Sequence, residues 1–246
     1  MDSIARIFNN CNDTLIRSCL QGIMGEIHTN KEKDAAMAIL GDFVFFSGNP
    51  SEELVRFKPD SCKNDFIIMI PENDDWANLI EKCYGDKAKK ITRYAIKKEP
   101  EVFDKYKLEQ IVSNLPDGYE LKIIEETEYN ICRGTDWAND LVSQYKDYST
   151  YKELGLGVTI FKDGELVAGA SSYSTYKEGI EIEIDTRIDH RRKGLASVCG
   201  AKLILECMKR GLYPSWDAQN KGSVALAEKL GYHFSHEYVA YEIFEY

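Results

Sequence analysis

The stretch IEIEIDTRIDHRRKGLASVCGAKLI, residues 180–204, decides the fold. Its opening alternates strictly, with Ile180, Ile182 and Ile184 on one side and Glu181, Glu183 and Asp185 on the other. Such alternation is a strand with one apolar face. The strand ends near Thr186, a polar loop follows, and a helix begins at Lys193 or Gly194 and runs to residue 210. Leu195, Val198, Leu203, Ile204 and Met208 form its packing stripe. Gly211 supplies the left-handed residue that ends it. The loop between strand and helix reads Arg191-Arg192-Lys193-Gly194-Leu195-Ala196-Ser197. The first N–H groups of a helix have no intrahelical partner, and the positive end of its dipole lies there. Gly194 removes the Cβ that would hold an anion away, and Ala196 leaves room. The segment reads as a backbone cradle for a pyrophosphate, with Arg191, Arg192 and Lys193 adding charge. It is neither a Walker A loop nor a G-x-G-x-x-G turn, because neither glycine spacing is present.

Working outward, residues 156–162, 166–174 and 180–186 form a meander joined at Asp163-Gly164 and Glu178-Gly179. Asp-Gly between alternating apolar residues is a hairpin signal. Two short helical stretches, 126–133 and 136–144, precede it. A strand at 213–218, a helix at 222–230 ending at Gly231 and a last strand or hairpin at 233–245 follow. Further upstream, Pro116 and Asp117-Gly118 mark a boundary within 114–122. This gives an N-terminal α/β domain, 1–115, and a C-terminal domain, 118–246. The N-terminal part reads as a helix over 1–22 with Ile4, Ile7, Phe8, Cys11, Leu15 and Cys19 as its stripe. Two strands around Gly41-Asp42 follow, then a short helix from Ser51, a buried strand at 66–71, a helix at 74–83, a strand at 91–98 and a helix at 105–113. Alternating strands and helices indicate the α/β class.

Arg-x-x-Gly-x-Ala at Arg191, Gly194 and Ala196 resembles the coenzyme A signature of the GNAT acetyltransferases. The flanking hairpin, strand and helix agree, as does the later Asn220 with Lys-Leu-Gly-Tyr at 229–232. The resemblance covers 118–246 and implies a GNAT acyltransferase fold, with a mixed, mostly antiparallel central sheet flanked by helices. The extra N-terminal domain is similar to a degenerate acetyltransferase half, and the layout resembles a branch that includes a zwittermicin A acetyltransferase. The resemblance further implies acetyl-CoA as co-substrate, with the pyrophosphate on the amides from Arg192 to Ser197. Pantetheine would lie beside Ile184, Asp185 and Thr186, in a gap where strand 180–186 splays from strand 213–218. Asn220 would touch the pantetheine or the leaving thiol, with Ser223 beside it. Asn220 also suits a helix N-cap.

Acetyl transfer needs a neutral amine and hence a base. Three carboxylates on one strand face suit a cleft, because crowding and burial raise a carboxyl pKa. Glu183 is the expected base, with Glu181 the second choice; a solvated sheet face is the alternative. Many members of the family carry a Tyr after a Leu in the last helix. Here the pair is Leu226-Ala227, leaving Ser223, Tyr232 or water as the acid. Trp137, Tyr173, Tyr176 and Trp216 are core aromatics or an acceptor pocket. His190 reads as a loop residue near phosphate.

Net charge is −10 over 246 residues. That excludes a general nucleic-acid binder, which needs clustered cations, and suits a cationic acceptor. No apolar run reaches the ~20 residues of a membrane helix, and residues 1–10 lack a signal-peptide pattern. A cytoplasmic monomer or homodimer is expected, with no nucleic-acid or membrane partner. The 7 Cys include no C-x-x-C and His is sparse, so reduced buried thiols are expected and no metal. The expected activity is N-acetylation of a small-molecule amine. The alternatives are an acyl-CoA-binding regulatory module and a protein Lys or N-terminal acetyltransferase.

Overall fold

A computed structural model describes residues 2–8, 12–63 and 65–246. The chain runs α1 (Asp2–Ile7), α2 (Thr14–Gln21), β1 (Glu26–Thr29), β2 (Ala35–Leu40), β3 (Phe43–Gly48), α3 (Glu52–Arg56), β4 (Phe66–Ile70), α4 (Asp74–Tyr84) and β5 (Ala88–Ile96). Then come α5 (Lys105–Ser113), β6 (Tyr119–Ile123), α6 (Glu126–Arg133), a 3₁₀ segment (Asp136–Leu141), α7 (Tyr148–Leu154), β7 (Gly157–Lys162), β8 (Glu165–Tyr176) and β9 (Gly179–Thr186). A 3₁₀ turn (Ile188–His190) leads into α8 (Leu195–Arg210), β10 (Tyr213–Ser215), β11 (Asp217–Ala218), α9 (Lys221–Leu230) and β12 (Phe234–Phe244).

Contacts group the chain into two compact units: Met1–Arg93 with Glu237–Tyr246, and Tyr94–His236. The chain passes between them inside β5 and β12. The compact units therefore do not follow the expected division at 114–122. Helix α5, expected in the first domain, packs on α8 and buries Leu108 in the same core as Leu203 and Ile204. Its apolar stripe is written in the sequence; the surface that stripe covers is not.

In the first unit the strands run β1-β2-β3-β4-β12-β5. The β3–β4 pair is parallel, and β1–β2, β2–β3 and β4–β12 are antiparallel. Its core joins Met37, Phe46, Ile67 and Trp76. The continuous helix expected over 1–22 is interrupted. Asp13 Oδ1 accepts from the N–H of Leu15 (2.8 Å) and Ile16 (3.4 Å), which starts a new helix at Thr14. Cys11 of the expected stripe lies outside the described residues.

The second unit carries a sheet of order β10-β9-β8-β7-β6, antiparallel except for the parallel β9–β10 pair. The meander falls where the alternation placed it. Helix α8 covers the face of Ile180, Ile182 and Ile184, with Val158, Ile160 and Ala170. Gly200 lets it approach closely: a Cβ there would sit 2.7 Å from Leu230 Cδ1 and 3.2 Å from Ile184 Cδ1. Four differences from expectation stand out. The helix begins at Leu195, with Gly194 as its N-cap. Met208 is 39% exposed, because the stripe turns toward Leu205 and Cys207 instead. Residues 136–144 form only a short 3₁₀ segment, and α7 follows unanticipated. The expected strand 213–218 breaks at Trp216. Of the two alternatives expected for the chain end, strand or hairpin, the single strand is the one that forms.

Of the cysteines, Cys19, Cys132, Cys199 and Cys207 are free and buried. Burial pushes the thiols of Cys19, Cys132 and Cys207 up to about 12, so they stay protonated and unreactive. No helix among the described residues is long and apolar enough to cross a membrane.

Candidate active site

The break at Trp216 opens the sheet. Strands β9 and β10 pair over three positions only: Tyr213 with Gly179, Pro214 with Ile180 and Ser215 with Glu181. Beyond Trp216 the chain leaves β9, and β11 pairs instead with the end of β5, Asp217 opposite Ala95 and Ala218 opposite Tyr94. The indole is held by burial and by donation from its Nε1 to Ser223 Oγ at 3.1 Å. Residues 182–186 of β9 therefore have β8 on one side and no strand on the other among the described residues. The Arg187 N–H donates to Val167 O on β8. Amide direction alternates along a strand, so the Ile184 N–H points to the open edge. There it donates to Glu183 Oε1 at 3.2 Å, a side chain standing in for a missing strand.

At the end of that edge the loop is pinned by several bonds. Arg187 grips Asp189 with two bonds (2.8 and 3.1 Å) and reaches Glu165 with a third (2.8 Å). His190 Nδ1 lies 3.2 Å from the Tyr119 hydroxyl, and Arg191 Nε donates to Thr186 O at 3.1 Å. His190 is thus a structural anchor of the loop. The pinned turn places two residues in the left-handed region, Arg192 at φ 63° and Gly194 at φ 82°. A non-glycine residue there is disfavoured, and such strain gathers at functional loops. No protein group among the described residues accepts the N–H of Arg192, Lys193, Gly194, Leu195, Ala196 or Ser197. Residues 191–194 are exposed, and the first turn of α8 contains no acid. The sequence-predicted loop residues are thus brought together as open donors beside three cations.

One cation was not foreseen. Lys229 of α9 donates to Ser197 Oγ at 3.0 Å, which brings its ammonium against the first turn of α8. A cation at the positive end of a helix is unfavourable unless an anion joins it. Its 32-residue separation from Ser197 hid this in the sequence. Asn220 caps α9 by accepting the Ser223 N–H at 3.0 Å, so the N-cap expectation holds for it.

The other face of β9 bears the carboxylates. Glu181 is buried, and Glu183 and Asp185 are half-buried. Desolvation raises the Asp185 carboxyl to about 6, aided by Asp140 of the 3₁₀ segment and opposed by Arg191. Leu141 lies over this face beside Gly169, the partner of Asp185. Tyr151 donates to or accepts from Ser171 at 2.8 Å, and Tyr145 pairs likewise with Ser172 at 2.6 Å. Of the expected pocket aromatics, Tyr173, Tyr176 and Trp216 are buried and Trp137 is half-buried. Ala227 is fully buried where the family's phenol was missed. Tyr232 is an unsuitable acid. It is buried, its hydroxyl donates to Pro214 O at 2.6 Å, and desolvation holds its pKa far above the ordinary phenol value.

A strand splayed from its neighbour, with an uncapped helix start at its end, defines the class of the fold: an open strand edge that leads to unclaimed backbone donors. The chain belongs to the GNAT acetyltransferase family, whose family model matches residues 5–241. That match extends through both compact units, so the first half is not an addition outside the family's reach. The structure of a GCN5-related N-acetyltransferase-like protein from Streptococcus suis 89/1591 is similar over 98% of both chains, at 43% identity and a TM-score of 0.92. A GCN5-related N-acetyltransferase from Kribbella flavida shares the fold at 14% identity and a TM-score of 0.59, over 95% of this chain and 96% of that one. The uncharacterized N-acetyltransferase YdfB of Bacillus subtilis (strain 168) is 28% identical over 81% of this chain and 72% of its own length.

Proposed function

We propose that this protein transfers the acetyl group of acetyl-CoA to the primary amine of a small molecule, within the branch that the sequence layout resembles. One observation carries the reading: the unclaimed N–H groups of residues 192–197 stand at the end of a strand whose edge is open. The pyrophosphate rests on those amides, neutralised by Arg191, Arg192, Lys193 and Lys229. Pantetheine lies along residues 184–186, and its carbonyl displaces Glu183 from the Ile184 N–H. Asn220 and Ser223 border its thiol end. The carboxylate face receives the amine. Glu181 and Glu183 are the groups to which its proton passes, and Asp185 with Asp140 adds negative charge that attracts a cation. With Tyr232 committed to Pro214, the sulfur leaves as thiolate or takes a proton from water.

The test is thiol release from acetyl-CoA across a panel of primary amines, preceded by a melting scan with acetyl-CoA alone. A ligand that binds only the native state raises Tm. The expected result is a clear rise in Tm and amine-dependent thiol release. An unchanged Tm at millimolar acetyl-CoA ends the reading.

A second reading rests on Ala227 and the locked Tyr232: an acyl-CoA-binding regulatory module without turnover. A rise in Tm with no thiol release from any amine would select it.

A further inference from the structure

Helices α5 and α8 pack on one another, and a cavity of about 430 Å³ lies open between them. That is the room of a small-molecule site; a helix, ~10 Å across with its side chains, needs more. The floor is apolar: Val112 of α5 with Leu205 and Met208 of α8. Met208 is the residue that leaves the packing stripe of α8 and stands 39% exposed. An unbranched thioether adapts its shape to what it touches, which suits a contact surface. The rim is cationic. Lys202 and Lys209 both donate to one oxygen of Glu206, Oε1, at 2.7 and 2.8 Å. Glu206 stands behind the rim, 14% exposed, whereas both lysines line the cavity. Two ammoniums on one carboxylate leave a positive charge unmatched, and each ammonium has three N–H donors. On the opposite rim Lys105 and Glu109 pair at 3.7 Å and cancel. The cavity is thus a local cationic spot on a chain of net charge −10.

We infer that this cavity binds a small monocarboxylate with an apolar body of about ten carbons. Its carboxylate meets Lys202 and Lys209 as a second acceptor beside Glu206, and its tail lies on Val112, Leu205 and Met208. Charge complementarity selects this occupant. A neutral ligand leaves the unmatched ammonium as it is, and a compact inorganic anion leaves the apolar floor in water. A carboxylate accepting from an ammonium makes one of the stronger hydrogen bonds. The cavity is neither of the sites that the proposed function uses. Helix α8 covers the isoleucine face of β9, and the carboxylates lie on the other face. From Gly194 to Leu205 the helix runs about 16 Å, so the anion bound here is not the anion of the loop. The inference therefore stands without the acetyl-transfer reading.

Decanoate is the test ligand, with decanol and acetate as controls. The full chain carries carbon-13 at its methionine methyls, and Met208→Leu identifies the Met208 signal in the NMR spectrum. Decanoate should move that signal and saturate it with a submillimolar Kd. Decanol should bind about tenfold more weakly, and acetate should leave the signal in place. Lys202→Gln combined with Lys209→Gln should raise the Kd for decanoate about tenfold, with melting scans checking that the variant folds. If it does not fold, Lys209→Gln alone, at a side chain 62% exposed, should raise the Kd about threefold. A Met208 signal unmoved by millimolar decanoate overturns the site. Equal affinity for decanoate and decanol, or unchanged affinity in the lysine variant, overturns the carboxylate as the recognised group. A signal that moves with protein concentration and not with decanoate gives the groove to a second copy of this chain and overturns the proposal. None of these readouts uses thiol release, so failure of the acetyl-transfer reading leaves them unchanged.

Discussion

The starts of α4 and α8 solve the same problem in opposite ways. Both helices pack on a sheet, and both begin with N–H groups that need acceptors. At α4 the protein supplies everything. Asn73 Oδ1 accepts the Trp76 N–H at 3.2 Å, and Asp74 and Asp75 oppose the dipole. Trp76 then seals the end, stacking on Phe46 with its Nε1 donating to Gly48 O at 2.9 Å. At α8 the cap is a glycine, no side chain accepts, no acid stands in the first turn, and four cations gather. A helix start completed by its own protein serves the fold. One left open, as at α8, has donors to offer the ligand of the proposed function, and the difference lies in a few residues.

That contrast can be broken from either end. The largest effect is expected at the sealed end. Trp76→Ala should cost about 3–5 kcal/mol of stability, as large core deletions do, read as a lower denaturation midpoint; a loss under about 1 kcal/mol would show that α4 is not sealed by packing. Next, Gly194→Asp gives α8 a protein cap. An aspartate tolerates the left-handed backbone, and its carboxylate competes for the open amides. Affinity for acetyl-CoA, measured by calorimetry, should fall about 100-fold, or about 2.7 kcal/mol, with Tm held or raised. Retained affinity would break the comparison outright.

The third effect concerns pH. The Asp185 carboxyl sits at about 6 in the fold against 3.8 for the free side chain. The native state therefore binds more protons than the unfolded chain between about pH 4 and 6, and stability falls as pH rises through that window. Discounted for solvent screening, the loss is about 1–2 kcal/mol. Asp185→Asn should flatten it in denaturation curves taken at a series of pH values; an unchanged slope would remove Asp185 as its source. Lys229→Met should weaken acetyl-CoA binding about threefold to tenfold, about 1 kcal/mol, and reduce its salt dependence. Last, Asn73→Ala should cost ~1 kcal/mol of stability and leave acetyl-CoA affinity untouched, which Gly194→Asp should not do.

The sequence carried this contrast unevenly. The open end was readable because its determinants are contiguous: alternating Ile and Glu, then Arg191 to Ser197. The meander and α5 were readable for the same reason, since each rests on local periodicity and a local turn. What escaped depends on distant partners. Trp216 breaks a strand because Ser223 and the core hold its ring; the nearby Pro214 does not mark the break, since it lies inside β10 opposite Ile180. Lys229 reaches Ser197 only through the packing of α9 on α8. The compact units cut through β5 and β12, two strands with no sequence mark at residues 93 and 236. Glu183 was the expected base, yet a raised carboxyl is found at Asp185, where burial contributes most and Asp140, arriving from another element, adds to it. The splay between strands 180–186 and 213–218 was expected from resemblance alone, and the break within 213–218 was not expected at all, because that segment reads as one continuous strand.

The open edge of β9 has a consequence for handling and for the cell. A half-zipped ladder inside a sheet is a template for any passing extended segment, including one from a second molecule. Glu183 bonding the Ile184 N–H acts as a gatekeeper, placing a charge where an invading strand would otherwise start. On the proposed function an acyl carrier finishes that ladder, so the unliganded protein is expected to be the form more prone to self-association.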